Sequence, residues 1–360
     1  MTAESNLTLK GRIFALAAGC VLLVAVSEAV LRVVFPHWNE FSSARFIVIE
    51  TIPGKGAVGV GRANFDGFFA QNNGDFRVRI SINEFGLRNP EPIKNADGRL
   101  WVVGDSMTFG WGVEQNEMYS SRLAGLSGVP TYNVASPGTD LCGYQMLVAR
   151  MPKDAHPRAV LLGLVLENDL RVYDCLAEWA GSATKPENPA PTVPSMIDVK
   201  SYLLGHSALY SFFTVSLKRV GFLMPLLRAT GLVAKEHIKT TEVDIGKFKS
   251  VISASADEII RLRNAFPSSV PFAVLIMPAR FEIRDNDPYY RHVRESIVLA
   301  LESRKIDVID PLVPFREAGF APTHFRHDGH WSALGHEIAA KESALWARKA
   351  IDLPAGRKDR

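Results

Sequence analysis

Apolar positions fall into three successive patterns along this chain. The first is a continuous run. From Ile13 to Val26 the sequence reads IFALAAGCVLLVAV without a charge, and it continues as SEAVLRVVFP to Pro36. A run of this kind has the length that a membrane-spanning helix needs. Glu28 and Arg32 stand one helical turn apart near its outer end, where they can pair and Arg32 can reach the interface. The second pattern covers 37–97, a stretch rich in Gly, Asn and Phe. There FRVRISIN (76–83) alternates polar and apolar residues, as a half-buried strand does.

The third pattern begins at Arg99 and alternates short apolar runs with amphipathic stretches. RLWVV, TYNVA, AVLLGLVL (159–166), PFAVLIM (271–277) and DVID (307–310) read as strands. The uninterrupted AVLLGLVL suits a strand buried on both faces. YSSRLAGLSG, GYQMLVARM, 247–266, 288–305 and the stretch opened by Ser332 read as helices, with Ser332 a favourable N-cap. Strand and helix in regular alternation predict a doubly wound, flavodoxin-like α/β/α sandwich of about five parallel strands, preceded by one transmembrane helix.

This divides the chain into a cytoplasmic tail (1–11), an anchor or signal segment (12–36), an extension with short strands (37–97), a main domain (98–350) and a polar tail (351–360). An insertion, roughly 171–246, interrupts the main domain. It opens with the loop-like KPENPAPTVP and continues as apolar helices with a few basic residues. It suits extra core packing, a lid over a site, or a face resting on the membrane. The N-terminal segment also has two readings. Ala25-Val26-Ser27 is a passable signal-peptide cleavage site, whereas the longer run to Phe35 fits an uncleaved anchor, which we favour. In both, Lys10 and Arg12 precede the apolar run and keep the short tail inside, so the remainder is exported.

Composition narrows the partners. The chain has 360 residues, 47% of them apolar, and a formal charge of +3. It contains no run of five basic residues, so a nucleic-acid partner is not expected. Cys20 lies in the apolar run, leaving Cys142 and Cys175 as the only possible pair in the exported part. An oxidising compartment permits a disulfide there, and two free buried thiols are the alternative. Cys-x-x-Cys and Cys/His zinc spacings are both absent from the sequence, so neither a metal nor another cofactor is expected.

In open parallel sheets, ligands bind beyond the carboxyl ends of the strands. The residues there are Gly104-Asp105-Ser106, then SPG with Gly138, then Glu167-Asn168-Asp169, and finally HFRHDGHWS with Asp328 and His330. Gly104 would let the chain turn sharply, placing Ser106 at a helix start where backbone N–H groups are unpaired. Gly138 leaves its own N–H open to a substrate carbonyl, and Asn168 carries a neutral NH₂ donor, both suited to a developing oxyanion. Asp328 can fix the tautomer of His330, whose other ring nitrogen takes the Ser106 proton. Together these are the parts of acyl transfer through a serine ester. Glu167 and Asp169 read most simply as a solvated turn. His324 and His327 compete with His330 and, with Asp328, have the donor types of a metal set, but serine chemistry uses these loops without one.

The blocks GDSMTFGWGV, YNVASPGTDLCGYQ, LENDL and HDGHWSALGH, spread over about 98–350, resemble the SGNH/GDSL hydrolase family. The single N-terminal apolar segment and the NEFGLR approach resemble its membrane-anchored bacterial envelope type. The resemblance implies Ser106 as nucleophile, His330 as base and Asp328 as its orienting acid. It also implies an oxyanion hole from Ser106, Gly138 and Asn168. Many members space acid and base as Asp-x-x-His; here the spacing is Asp328-x-His330, followed by Trp331, Ser332 and Gly335, and it resembles the alginate-acetylation branch. The third block has Leu166 where a glycine is common, which makes Asn168 the least typical of the five. The expectation is a membrane-tethered serine esterase of the bacterial inner membrane, its catalytic domain periplasmic, acting on a small-molecule, glycan or lipid ester. An O-acetyltransferase for an envelope polysaccharide and a catalytically silent binding protein on the same fold are the alternatives, and the oligomeric state stays open.

Overall fold

The computed structural model describes residues 8–71, 74–183, 196–216 and 245–351, which fall into two compact units. The expected loop KPENPAPTVP, the apolar stretch beyond Ser216 and nearly all of the C-terminal tail lie outside the described residues.

One unit joins the N-terminal segment, through Arg45, to Pro189–Ile238 and the short piece Ala70–Asn72. Its helix α1, Leu9–Val34, is long and apolar enough to cross a membrane, and protein buries none of its residues. Thr8 caps its start by accepting from the Gly11 amide. Glu28 and Arg32 pair at 2.8 Å, as the spacing predicts. Glu28 also accepts from the Ser207 hydroxyl and from the amides of Ala208 and Leu209, while Arg32 donates to the His206 carbonyl. Both charges toward the end of the apolar helix therefore have hydrogen-bond partners within the protein. Their partners lie in the described part of the insertion, the helices Met196–His206 and Ala208–Ser211.

The other unit contains Phe46–Phe69, Asn73–Asn188 and the chain from Lys239 onward. It begins with an antiparallel pair, β1 (Ile47–Ile52) and β2 (Gly56–Gly61), followed by a second pair, β3 (Asp66–Ala70) and β4 (Arg77–Ser81). Then come β5 (Leu100–Gly104), β6 (Thr131–Ala135), β7 (Ala159–Val165), β8 (Phe272–Met277) and β9 (Asp307–Ile309). They form one parallel sheet in the order β6-β5-β7-β8-β9. This is the doubly wound arrangement expected from the alternation of runs.

The three central strands β5, β7 and β8 are apolar throughout because both faces are covered, whereas β6 and β9 at the two edges carry the polar Thr131, Asn133 and Asp307. Leu100, Val102, Ala159 and Leu161 pack against α3 (Tyr119–Ser127) and α8 (Ala333–Ala350). Trp101, Val103, Val160 and Leu162 face α4 (Leu141–Arg150), α6 (Ile245–Arg263) and α7 (Pro288–Glu302). The helices read from periodicity all form, within a few residues of the expected ends.

A histidine ties the two helices of the first face together. His336 on α8 is fully buried, and its Nδ1 accepts from the Tyr119 amide at the start of α3, at 3.2 Å. It thereby satisfies one of the N–H groups a helix start leaves unpaired. Burial, with the charges of Arg88 and Arg122, holds the His336 pKa down to about 3. The unfolded chain takes up this proton near pH 6.5, roughly its ordinary value, so the contribution is complete above that pH and is lost as pH falls toward 3. We expect the stability advantage of wild type over His336→Asn to shrink by about 1.4 kcal/mol per pH unit below ~6.5. Urea unfolding at pH 7.5 and 5.5 measures this, and parallel shifts of both proteins would refute it.

Candidate active site

The carboxyl end of β5 places the first candidate. Gly104 closes the strand, Asp105 is the N-cap, and Ser106 opens α2 (Ser106–Phe109). The glycine serves packing more than the expected sharp turn: a Cβ there would sit 2.1 Å from Thr108 Oγ1. Asp105 is fully buried; one carboxylate oxygen accepts from the Met107 amide at 2.9 Å and the other from Asn168 Nδ2 at 3.3 Å. Its burial raises the carboxyl pKa, against the pull of His330 and these hydrogen bonds.

The turn after α2 is held from beneath by the NEFGLR segment. Arg88 is fully buried and donates to the carbonyls of Phe109, Gly110 and Val113, and to that of Arg79. A buried guanidinium is tolerable only with such acceptors, and burial brings its pKa down to about 10. The turn carries Trp111, which packs edge-on against Phe69 at 4.6 Å, in an aromatic cluster with Phe46, Phe76 and Phe109.

The second candidate loop is cinched at its base. His324 and Trp331 form an antiparallel bridge, and the Phe325 amide donates to the His330 carbonyl at 2.9 Å. Trp331 is fully buried, 4.9 Å from Phe315 between ring centres, and so anchors the loop end in the core. This fixes His330, whose Nε2 lies 2.8 Å from Ser106 Oγ. Its Nδ1 is hydrogen-bonded to Asp328 Oδ1, which also accepts from the His330 amide. The Asp328 side chain is only 11% exposed. Burial works against its charge, but the ring and amide of His330 outweigh that and hold its pKa below the usual carboxylate value. Trp111 stacks on the imidazole, 5.5 Å between ring centres and 27° between planes. Sequence reasoning did not single out Trp111, although it stands in the quoted GWG next to the nucleophile.

The competing histidines point elsewhere. His324 is buried, with Nδ1 on Thr323 Oγ1 at 2.9 Å, and burial lowers its pKa to about 4. His327 bonds Asp75. Among the described residues no cluster of His, Cys, Asp and Glu is arranged to hold a metal ion.

Of the oxyanion candidates, Asn168 bonds Asp105, the residue before Ser106. Gly138 lies in the loop after β6, which runs alongside β5 through a Ser136 amide to Gly104 carbonyl bond of 3.2 Å. The space a Cβ would occupy at Gly138 is open. Among the described residues, neither the Ser106 nor the Gly138 amide has an acceptor. The neighbours of Asn168 correct the reading of a solvated turn. Asp169 is fully buried and accepts from the Tyr144 hydroxyl and the Val165 amide, both at 2.8 Å; burial raises its pKa well above normal. Glu167 pairs with Arg280 at 2.8 Å. Only tertiary packing distinguishes these carboxylates from ordinary turn residues.

The chain matches no family model and no curated protein. Among solved structures it is similar to a carbohydrate esterase family 2 enzyme with a carbohydrate binding domain from Corynascus thermopiles (Myceliophthora fergusii). That match has 13% identity over 74% of this chain and 68% of the other, with a TM-score of 0.40. It is also similar to a putative lipolytic protein of the G-D-S-L family from Desulfitobacterium hafniense, at 9% identity over 69% and 99% of the chains and a TM-score of 0.39. An acetyl xylan esterase matches at 12% identity over 69% and 98%, with a TM-score of 0.36. Likenesses this remote assign no function, and the chemistry of the site rests on its own geometry.

A disulfide joins Cys142 at the start of α4 to Cys175, which begins the helix α5 (Cys175–Ala183), with the Cα atoms 5.3 Å apart. It pins the loop carrying Asn168 to α4, and Arg171 adds a bond to Asp140 at 2.8 Å. With the cysteines 33 positions apart in sequence, loop-closure entropy gives about 3–4 kcal/mol of stabilisation. Cys142→Ser with Cys175→Ser is expected to lose that much in urea unfolding. An unchanged midpoint would show that the crosslink contributes nothing.

Proposed function

We propose that the chain is a membrane-tethered serine esterase of the bacterial envelope, acting through an acyl-Ser106 intermediate. The observation that carries this is the relay from Ser106 Oγ to His330 Nε2, at 2.8 Å, and from His330 Nδ1 to Asp328. His330 takes the hydroxyl proton as Ser106 attacks the ester carbonyl, and Asp328 stabilises the imidazolium that forms. The amides of Ser106 and Gly138 and the side chain of Asn168 are the donors available to the oxyanion; each such donor is worth roughly 3 kcal/mol in the transition state. His330 then returns its proton to the departing alcohol. Water, activated by the same imidazole, releases the acid and restores Ser106.

The placement of the enzyme follows from its N-terminus and its cysteines. Lys10 and Arg12 stand in the first turn of the helix, ahead of its uncharged run, and favour a cytoplasmic start with the catalytic unit periplasmic. A disulfide between Cys142 and Cys175 suits that oxidising compartment. The substrate is an ester-bearing envelope glycan or lipid, or a smaller ester. A silent binding protein would have no use for a hydroxyl, imidazole and carboxylate in hydrogen-bonded series.

The test uses the full-length chain in detergent with p-nitrophenyl acetate. Ser106→Ala and His330→Ala are each expected to lower kcat by roughly 10³-fold or more. Rates equal to wild type would remove the serine mechanism. Adding an oligosaccharide acceptor and following acetyl by mass spectrometry separates release to water from transfer to a sugar hydroxyl.

A further inference from the structure

Arg280 follows β8 and opens the short helix Arg280–Asp285. Glu167, which directly precedes Asn168, accepts both from its backbone amide at 2.7 Å and from Nε at 2.8 Å. The first bond ties the carboxylate to the helix start and the second holds the guanidinium through Nε alone. The other edge, Nη1 and Nη2, has no acceptor among the described residues, although the side chain is 41% exposed. That edge lies against Gly329, the residue between Asp328 and His330. A Cβ at Gly329 would sit 2.2 Å from Nη1, and the backbone there has φ +84°. Glycine at the middle of Asp328-x-His330 thus suits the torsion and lets the guanidinium come close to the backbone. Arg280 therefore stands beside the catalytic loop with a planar pair of donors presented at its rim.

From this geometry we infer that Arg280 is a specificity-determining residue, selecting esters that carry a carboxylate close to the scissile bond. The inference deepens the esterase reading and rests on it. A guanidinium edge matches the two oxygens of a carboxylate in parallel hydrogen bonds. Its orientation is already fixed by Glu167, so little side-chain freedom is lost on binding. The pairing with Glu167 satisfies Nε without covering the edge that would face substrate.

The experiment measures affinities, so that it does not depend on turnover. Full-length Ser106→Ala in detergent is titrated calorimetrically with two matched pairs of esters. One pair has its carboxylate on the alcohol side: 4-acetoxybenzoate against its neutral methyl ester. The other has it on the acyl side: mono-p-nitrophenyl succinate against p-nitrophenyl pentanoate. In at least one pair the anionic member is expected to bind roughly tenfold tighter or more, and the pair that responds tells which side carries the group. Adding Arg280→Met should bring that ratio close to one. Arg280→Lys, which keeps the charge but loses the fork, should retain only part of it. Equal affinities within both pairs, or a preference that survives Arg280→Met, would overturn the inference. Esterase turnover undiminished by Ser106→Ala would instead count against the serine mechanism, leaving the affinity ratios to decide the role of Arg280.

Discussion

A single hydrogen bond between Ser106 and His330 joins residues 224 positions apart in the chain. Everything nearby is arranged to keep those two side chains within reach. The serine is held from below by the buried cap Asp105 and by Arg88, whose donors fasten the following turn. The histidine is held by a loop closed through the His324–Trp331 bridge and anchored by a fully buried indole. The parallel sheet makes the meeting possible, because all its strands end on one edge.

The extension before the sheet takes part in the same task. Phe46, Phe69 and Phe76 would count as ordinary core residues, yet their cluster carries Trp111 onto the imidazole face. Phe325, at the start of the loop that carries His330, packs on Phe76 at 5.1 Å. The segment ahead of the sheet therefore positions both partners of the hydroxyl–imidazole contact. Aromatic rings suit this, since they fix orientation as well as burying area.

The buried charges under the site are each held by at least one hydrogen bond. Asp169 binds Tyr144 and the Val165 amide, and Glu167 binds Arg280. Arg171 links the Asn168 loop to Asp140 beside the disulfide. Unpaired groups in a low-dielectric site are costly, so these bonds also fix the loops.

The local pattern of the sequence already determines the parallel sheet, because strands buried on both faces must be apolar throughout and helices must show a 3.6-residue stripe. It also places Ser106 just beyond a strand end and sets Asp328 and His330 in a short polar block ahead of the last helix, although the helices Leu312–Ala318 and Phe320–Thr323 separate that block from the last strand. The apolar N-terminal helix and its Glu28–Arg32 pair are legible for the same reason, since spacing alone brings the two charges together. What the linear pattern does not contain is pairing between distant segments. Trp111 on His330, Arg88 under the turn that follows Ser106, Asp169 in the interior and Arg280 against Gly329 each join residues that no local periodicity relates. Packing decided them, because a side chain's burial and partners depend on which elements are brought against it and not on its neighbours in sequence.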